Sequence, residues 1–311
     1  MSIARRLISI EAGQVRPFKF TIQTGGANTQ FELPLTSPSG KQPNIVVDWG
    51  DGSATTTITS ALSSNRFHTY SVAGTYQIIV NGYCPGFNVN NNTSYKNLYR
   101  SVDDWGGVDF EQIDFYGCTY LTTIPNDGAT PTPNATLHEG LNTVLRFNST
   151  FRQTGITIIP AGLFDYASNV TSFVNTFVFC TGFSSIPSGL FDNNTNVTSF
   201  SGTFNACLSL TSIPNNLFDN NTQVVNFESV FRNCRAITAI PSNFFTNNQS
   251  VTTFANAFNM ATTANSLGGT TPTDTPSGDE IWERTPTPVG TDCFAFCSGL
   301  TNFGSIPATF K

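Results

Sequence analysis

Charged residues, and basic residues above all, are scarce in this sequence of 311 residues. Asp, Glu, Lys and Arg make up 11% of it, with 14 basic against 20 acidic residues and a net charge of −6. A protein that holds nucleic acid through its phosphates needs a basic surface, and no stretch of this chain supplies one. We therefore expect no nucleic-acid partner.

Long apolar stretches and metal-binding patterns are missing as well. No stretch approaches the roughly 18 apolar residues of a membrane-spanning helix, so no membrane span is predicted. The apolar part of the N-terminus, Leu7, Ile8 and Ile10, is too short for a secretory signal, which favours assembly in a reducing cytosol. The seven cysteines form no paired CxxC motif, so we expect no zinc, no other metal and no cofactor.

Groups that could carry catalysis are few. Only His68 and His138 could act as general bases near neutral pH; His138 has no obvious nucleophile partner, and His68 is expected to be a packed strand residue. An acidic cluster leaves a paired-carboxylate glycosidase open, although a solvated acidic face is the favoured interpretation. Its members are Asp103, Asp104, Asp109, Glu111 and Asp114. We predict a protein that is not an enzyme.

A repeated phrase dominates the second part of the chain. Ile-Pro dipeptides end at Pro160, Pro187, Pro214 and Pro241, one every 27 residues. The same step links Val170, Val197, Val224 and Val251; Phe173, Phe200, Phe227 and Phe254; and Cys180, Cys207 and Cys234. Units this short cannot bury an apolar face alone, so identical positions must stack. The pattern predicts a solenoid of seven partial or complete coils, with short strands, turns and cysteines that act as small apolar core residues.

Residues 16–83 have a different pattern. Short alternating strands separated by turn signals predict an all-β sandwich. The segment VDWGDGS…FHTYSVAGTYQIIV resembles the polycystic-kidney-disease (PKD) type of immunoglobulin-like domain. The matching residues are Asp48, Trp49, Gly50, Asp51 and Gly52, then His68, Thr69, Tyr70, Gly74, Thr75 and Tyr76. Asp48 and Asp51 either fix a hairpin turn, which is the favoured interpretation, or bind Ca²⁺.

From residue 98 onwards the chain resembles the BspA-like surface-protein families, whose leucine-rich-type repeats carry VT-x-F/M and F-x-x-C-x-x-L elements. Val102, Trp105, Gly106, Phe115, Cys118 and Leu121 carry the resemblance, together with the later ladders. The chain departs from these families in its Phe-rich period of 27 residues and in two polar insertions. The resemblance implies binding or scaffolding, as in bacterial surface adhesins and, joined to PKD-like modules, in proteins of bacteriophage particles.

These observations predict an all-β-dominated fold in three parts. Residues 1–15 form an N-terminal arm or anchor, 16–97 a PKD/Ig-like β-sandwich, and 98–311 a leucine-rich-repeat-like solenoid. Insertions near 126–134 and 262–289 break the repeat, and function is expected where a repeat is broken. The predicted binding residues are Trp282, Glu283 and Arg284, unless Trp282 only pins the insertion onto the solenoid.

We predict a virion structural protein of a bacteriophage, a head or neck decoration or a fibre, located on the particle. Its partners would be other virion proteins, through the N-terminal arm, and a host-surface glycan or protein, in an oligomer or bound to the particle. A bacterial cell-surface adhesin is the alternative, and a glycan-active enzyme that uses the acidic cluster is less favoured. The final SIPATFK either folds over its own coil or is covered by another subunit.

Overall fold

The computed structural model describes residues 16–91, 94–108, 110–126, 144–262, 267–268 and 280–311. The described ranges contain ten β-strands, six 3₁₀-helices and many turns, but no α-helix, so the predicted β-dominated class is confirmed. The strands are β1 (Phe18–Gln23), β2 (Thr29–Glu32), β3 (Leu35–Thr36), β4 (Asn44–Asp48), β5 (Thr56–Ile58), β6 (Phe67–Tyr70), β7 (Thr75–Tyr83), β8 (Gly86–Asn88), β9 (Tyr99–Asp104) and β10 (Gln112–Asp114). The 3₁₀-helices are Ser64–Arg66, Val89–Asn91, Lys96–Leu98, Ile281–Glu283, Phe303–Ser305 and Ala308–Phe310. None of these described helices has the length and hydropathy to cross a bilayer.

Three sheets make up the N-terminal part. A five-stranded antiparallel sheet has the order β5-β4-β7-β1-β9, and smaller sheets have the orders β10-β8-β3 and β2-β6. Alternation along β1 buries Phe18, Phe20 and Ile22, because successive side chains of a strand point to opposite faces. Phe20 packs on Phe87 of β8 at 5.4 Å and on Phe31 of β2 at 6.2 Å. The core therefore lies between the large sheet and the two small ones.

Strand β9 joins these sheets to the repeats. One of its edges pairs with β1. At its other edge the Thr122 N–H donates to the Arg100 carbonyl and the Val102 N–H donates to the Thr123 carbonyl, both at 3.0 Å. The predicted domain boundary at residues 97 and 98 thus immediately precedes a strand that is hydrogen-bonded to both parts.

Neighbouring repeat units are joined by isolated parallel bridges. We number the units from their first valine: unit 1 starts at Val144, unit 2 at Val170, unit 3 at Val197, unit 4 at Val224 and unit 5 at Val251. The bridges link Arg146, Ser172, Ser199, Asn226, Thr253 and Val289 in succession. The predicted short strands shrink to these single residues, because left-handed positions such as Asn175 and Phe179, with φ of 59° and 60°, turn the chain soon after each bridge.

Stacked phenylalanine rings fill the interior of the units. Phe173 stacks on Phe200 at 5.6 Å and 4°, and Phe177 stacks on Phe204 at 5.6 Å and 6°. The ladder valines, phenylalanines and cysteines are all buried, as the 27-residue period predicts. Ring contacts in this distance range add to the free energy gained by burying apolar area, so each unit stabilises the next.

The last described residues fold back over the repeats. Phe310 is only 2% exposed, and its carbonyl accepts a 2.8 Å hydrogen bond from the Phe294 N–H. Of the two alternatives for the final residues, cover by the same chain is the one observed. Phe310 therefore provides no ground for expecting an oligomer.

Candidate functional site

Buried threonine and cysteine side chains hydrogen-bond one unit to the previous one. The Thr203 hydroxyl donates to the Phe173 carbonyl at 2.9 Å. The Cys207 thiol lies 3.2 Å from the Phe177 carbonyl, and Cys234 lies 3.0 Å from the carbonyl of the equivalent phenylalanine. The cysteines therefore act as weak donors between units, in addition to the apolar packing predicted for them.

A ladder of buried asparagines makes stronger connections. Each Nδ2 group donates to two main-chain carbonyls of the preceding unit; for Asn221 these belong to Phe191 at 3.1 Å and Asn194 at 3.0 Å. The members are Asn194, Asn221 and Asn248, all fully buried. Sequence reasoning assigned this part of the repeat to turn chemistry and missed the ladder. Its signal was available, since these asparagines recur at the 27-residue step, each three residues after a phenylalanine.

Arg284 occupies the position where the next asparagine of the ladder would act. Its guanidinium donates to the Asn248 carbonyl at 2.9 Å and to the Phe245 carbonyl at 3.0 Å. Asn248 itself uses the equivalent carbonyls one unit earlier, those of Asn221 and Phe218. The Arg284 guanidinium also lies 5.3 Å above the Phe254 ring. Arg284 thus caps the asparagine ladder.

The other two predicted binding residues lie beside this cap. Trp282 is half-buried and packs edge-on against Phe294 at 6.2 Å and Phe310 at 5.9 Å. Glu283 is exposed and accepts a 2.9 Å hydrogen bond from the Glu280 N–H, which closes a capping box. Trp282 and Arg284 hold the insertion against the repeats. This agrees with the alternative interpretation of Trp282, in which it pins the insertion onto the solenoid. Their role in binding stays a prediction.

Parts of the two predicted insertions, and some predicted residues, lie outside the described ranges. Asn126 is described, and its Oδ1 accepts a 3.2 Å hydrogen bond from the Gly162 N–H. The remaining residues of 126–134, part of 262–289, the arm 1–15, His138 and Asp109 fall on residues that the structure does not describe.

The Asp48/Asp51 pair holds a turn in the N-terminal sheets. The Gly50 N–H donates to Asp48 at 2.9 Å, and the Ser53 N–H donates to Asp51 at 3.0 Å. Asp51 also pairs with His68 at 2.7 Å. Burial alone would raise the pKa of Asp51, but hydrogen bonds from Ser53 and His68 outweigh it and lower that pKa to about 2. The turn-forming interpretation is confirmed.

His68 is the packed strand residue that the sequence predicts. It lies on β6, and its ring stacks on Trp49 at 4.8 Å and 7°. Tyr70 meets the same imidazole edge-on at 4.7 Å. The imidazole therefore packs against the buried aromatic rings of Trp49 and Tyr70.

Asp103 and Asp104 stand side by side at the end of β9, yet each has its own partners. Asp103 accepts hydrogen bonds from Thr21 at 2.7 Å and Gln77 at 2.9 Å. Asp104 forms an ion pair with Arg16 at 2.6 Å. These contacts tie β9 to β1 and β7, which is a structural use of both carboxylates.

The other described carboxylates of the predicted acidic cluster are separately engaged. Glu111 pairs with Lys41. Asp114 lies on β10 with 9% exposure, and burial raises its pKa to about 6, although a 2.7 Å hydrogen bond from the Tyr116 N–H opposes that shift. Within the described ranges, no group of three or more His, Cys, Asp or Glu side chains could hold a metal ion.

No protein-family model matches this chain, and no curated protein matches it. Thr, Cys and Asn side chains recur at the repeat step, and in the described units they join one unit to the next. Binding can therefore be expected at positions that vary from unit to unit.

Proposed function

We propose that this chain is a non-enzymatic structural protein of a bacteriophage particle, whose repeats present a surface for attachment to a host cell. The proposal includes the finer fold: a PKD-type immunoglobulin-like sandwich followed by a BspA-like leucine-rich-type solenoid. A five-stranded antiparallel sheet that shares one core with two smaller sheets supports the first part. Parallel bridges at a 27-residue step support the second.

The observation that carries the proposal is the hydrogen-bonded continuity from the sheets into the repeats. Ser101 of β9 bridges to Thr123, and the bridges from Arg146 to Val289 join each unit to the next. A stacked array of this kind is held by nearest-neighbour contacts along its whole length. Such an array keeps its surface at a fixed geometry, which suits display and attachment.

The state of the thiols supports assembly in a reducing compartment. All seven cysteines are free and buried. Burial raises the pKa of Cys180 to about 11 and that of Cys84 to about 12, so neither thiol is an activated nucleophile. The same burial argues against a thiol-based enzyme and agrees with a structural role.

Two alternative functions remain for this chain. A bacterial cell-surface adhesin would present the same array on a cell. A glycan-active enzyme would need a free carboxylate pair, whereas Asp103 and Asp104 are engaged with Thr21, Gln77 and Arg16. Turnover of a polysaccharide that is lost in Asp103→Asn would establish the enzyme.

The experiment that tests the proposal is mass spectrometry of purified phage particles from cells that carry the gene, with and without residues 1–15. We expect the full chain in the particles and its loss on deletion of the arm. Absence from particles together with presence on washed bacterial cells would establish the adhesin instead.

A further inference from the structure

Phe179 is an exposed aromatic residue in an unfavourable backbone conformation. Its φ is 60°, and its side chain is 45% exposed. Bulky side chains rarely adopt left-handed φ values, whereas asparagine adopts them at little cost. The equivalent position of unit 4 is Asn233, with φ of 62°. Unit 4 reaches the same backbone conformation with asparagine, so the fold does not require phenylalanine at this position.

Further exposed side chains lie in the same turn of the next two units. The Phe179 N–H donates to the Asn205 carbonyl, and the Ala206 N–H donates to the Arg232 carbonyl, so the turns of units 2, 3 and 4 are directly bonded. Leu208, in the unit 3 turn, is 43% exposed. We call Phe179, Leu208, Arg232 and Arg235 the turn face.

The two arginines of the turn face lack a counter-charge. Both are exposed, and no acidic side chain of the described ranges forms an ion pair with either. Arg235 uses its Nε to hold Asn233 Oδ1 at 2.6 Å, which leaves the outer guanidinium donors toward solvent. In a chain with a net charge of −6, an exposed apolar ring two units away from two arginines that form no ion pair within the described ranges favours an anionic ligand.

We propose that the turn face binds an anionic polysaccharide. The apolar face of a sugar ring would lie on Phe179 and Leu208, and a carboxylate or sulfate would accept hydrogen bonds from Arg232 and Arg235. Two steps of 5.5–5.6 Å separate units 2 and 4, so the site spans more than one sugar. This inference deepens the proposed attachment role, on which it rests, by naming the ligand class.

The test is binding of the full chain to immobilised heparin and hyaluronan, with dextran as the neutral control. We expect binding to at least one anionic polysaccharide and none to dextran. Arg232→Gln and Arg235→Gln should each weaken affinity about tenfold, because each removes a charge-assisted hydrogen bond to the anionic group of the sugar. Heparin and hyaluronan distinguish a sulfate ligand from a carboxylate ligand.

Phe179→Asn separates ring stacking from folding. The variant installs the residue that unit 4 has at this position, so it should fold at least as stably as the parent while losing polysaccharide affinity. The controls are Leu145→Thr and Arg146→Gln, which remove an exposed apolar group and an exposed charge from unit 1, outside the turn face. Neither control should change binding.

Three outcomes would overturn the inference: no binding to either anionic polysaccharide, equal binding by Phe179→Asn, or equal competition by single-stranded DNA. The last would indicate a general site for polyanions with stacking bases. A chain found on phage particles that binds neither polysaccharide would refute the turn face and leave the proposed function standing. A chain that binds an anionic polysaccharide but is absent from particles would refute the proposed function and leave the turn face standing.

Discussion

Replacing the buried ladder residue Asn221 by alanine should destabilise the repeats far more than replacing the exposed Asn220 beside it. In Asn221→Ala, two hydrogen bonds disappear, to the Phe191 carbonyl at 3.1 Å and the Asn194 carbonyl at 3.0 Å. Each carbonyl keeps one main-chain donor, the N–H of Asn194 for Phe191 and that of Val197 for Asn194. The change therefore weakens these acceptors without leaving them unpaired.

The expected loss follows from these contacts. Two bonds at about 1 kcal/mol each, together with a small cavity at a fully buried site, amount to about 2–3 kcal/mol of the free energy of unfolding. The Asn221 Oδ1 is buried without a protein partner, so losing it offsets part of the cost. A loss of that size is a large fraction of the stability of an ordinary domain.

Guanidinium chloride unfolding followed by circular dichroism would measure this loss, with Asn220→Ala as the matched control. Asn220 is the same residue type one position earlier, but it is exposed, so its replacement should change stability by no more than about 0.5 kcal/mol. Equal losses in the two variants would refute the ladder as the connection between units. No loss in Asn221→Ala would refute it as well.

Three further results are expected. Arg284→Met should lower the free energy of unfolding by about 2 kcal/mol, because two carbonyls at the end of the ladder each lose a charged side-chain donor; a denaturation curve equal to that of the parent would contradict the cap. Because burial raises the pKa of Asp114 to about 6 from 3.8, the folded state binds this proton more tightly than the unfolded state. Stability should therefore fall by about 2–3 kcal/mol as the pH rises from about 4 to about 6, and Asp114→Asn, which keeps the acceptor for Tyr116, should abolish that slope in pH-dependent unfolding. Ellman's reagent should label none of the seven buried thiols in the native protein and all seven in denaturant; rapid labelling of the native chain would contradict their burial.

Much of the packing follows from the period alone. A unit of 27 residues cannot enclose its own apolar side chains, so Val197, Phe200 and Cys207 had to be covered by the same positions of neighbouring units. All three are fully buried. The turn at Asp48 and Asp51 was also predictable, since short carboxylates next to glycine bond nearby main-chain N–H groups.

The length of the regular elements was not predictable from the same pattern. Residues such as Thr171 and Ser172 have the composition of a strand, yet the described units form only isolated single-residue bridges. The limit comes from the left-handed residues that follow, for example Asn175 and Phe179, whose N–H groups donate to carbonyls of the next unit. Composition does not reveal that phenylalanine will accept such a conformation.

The sequence by itself determined that units repeat, which residues face the interior and that buried cysteines belong to that interior, because a strict period makes one unit the environment of the next. Only the tertiary structure decided that β9 bonds to both parts, that Arg284 completes a ladder of asparagines, and that the turns carrying Phe179, Leu208, Arg232 and Arg235 are hydrogen-bonded to one another. Arg284 interrupts the period, and the turn-face residues vary within it. The neighbours of Arg284 and of the turn-face residues depend on how the units stack, and residue spacing in the sequence does not give that information.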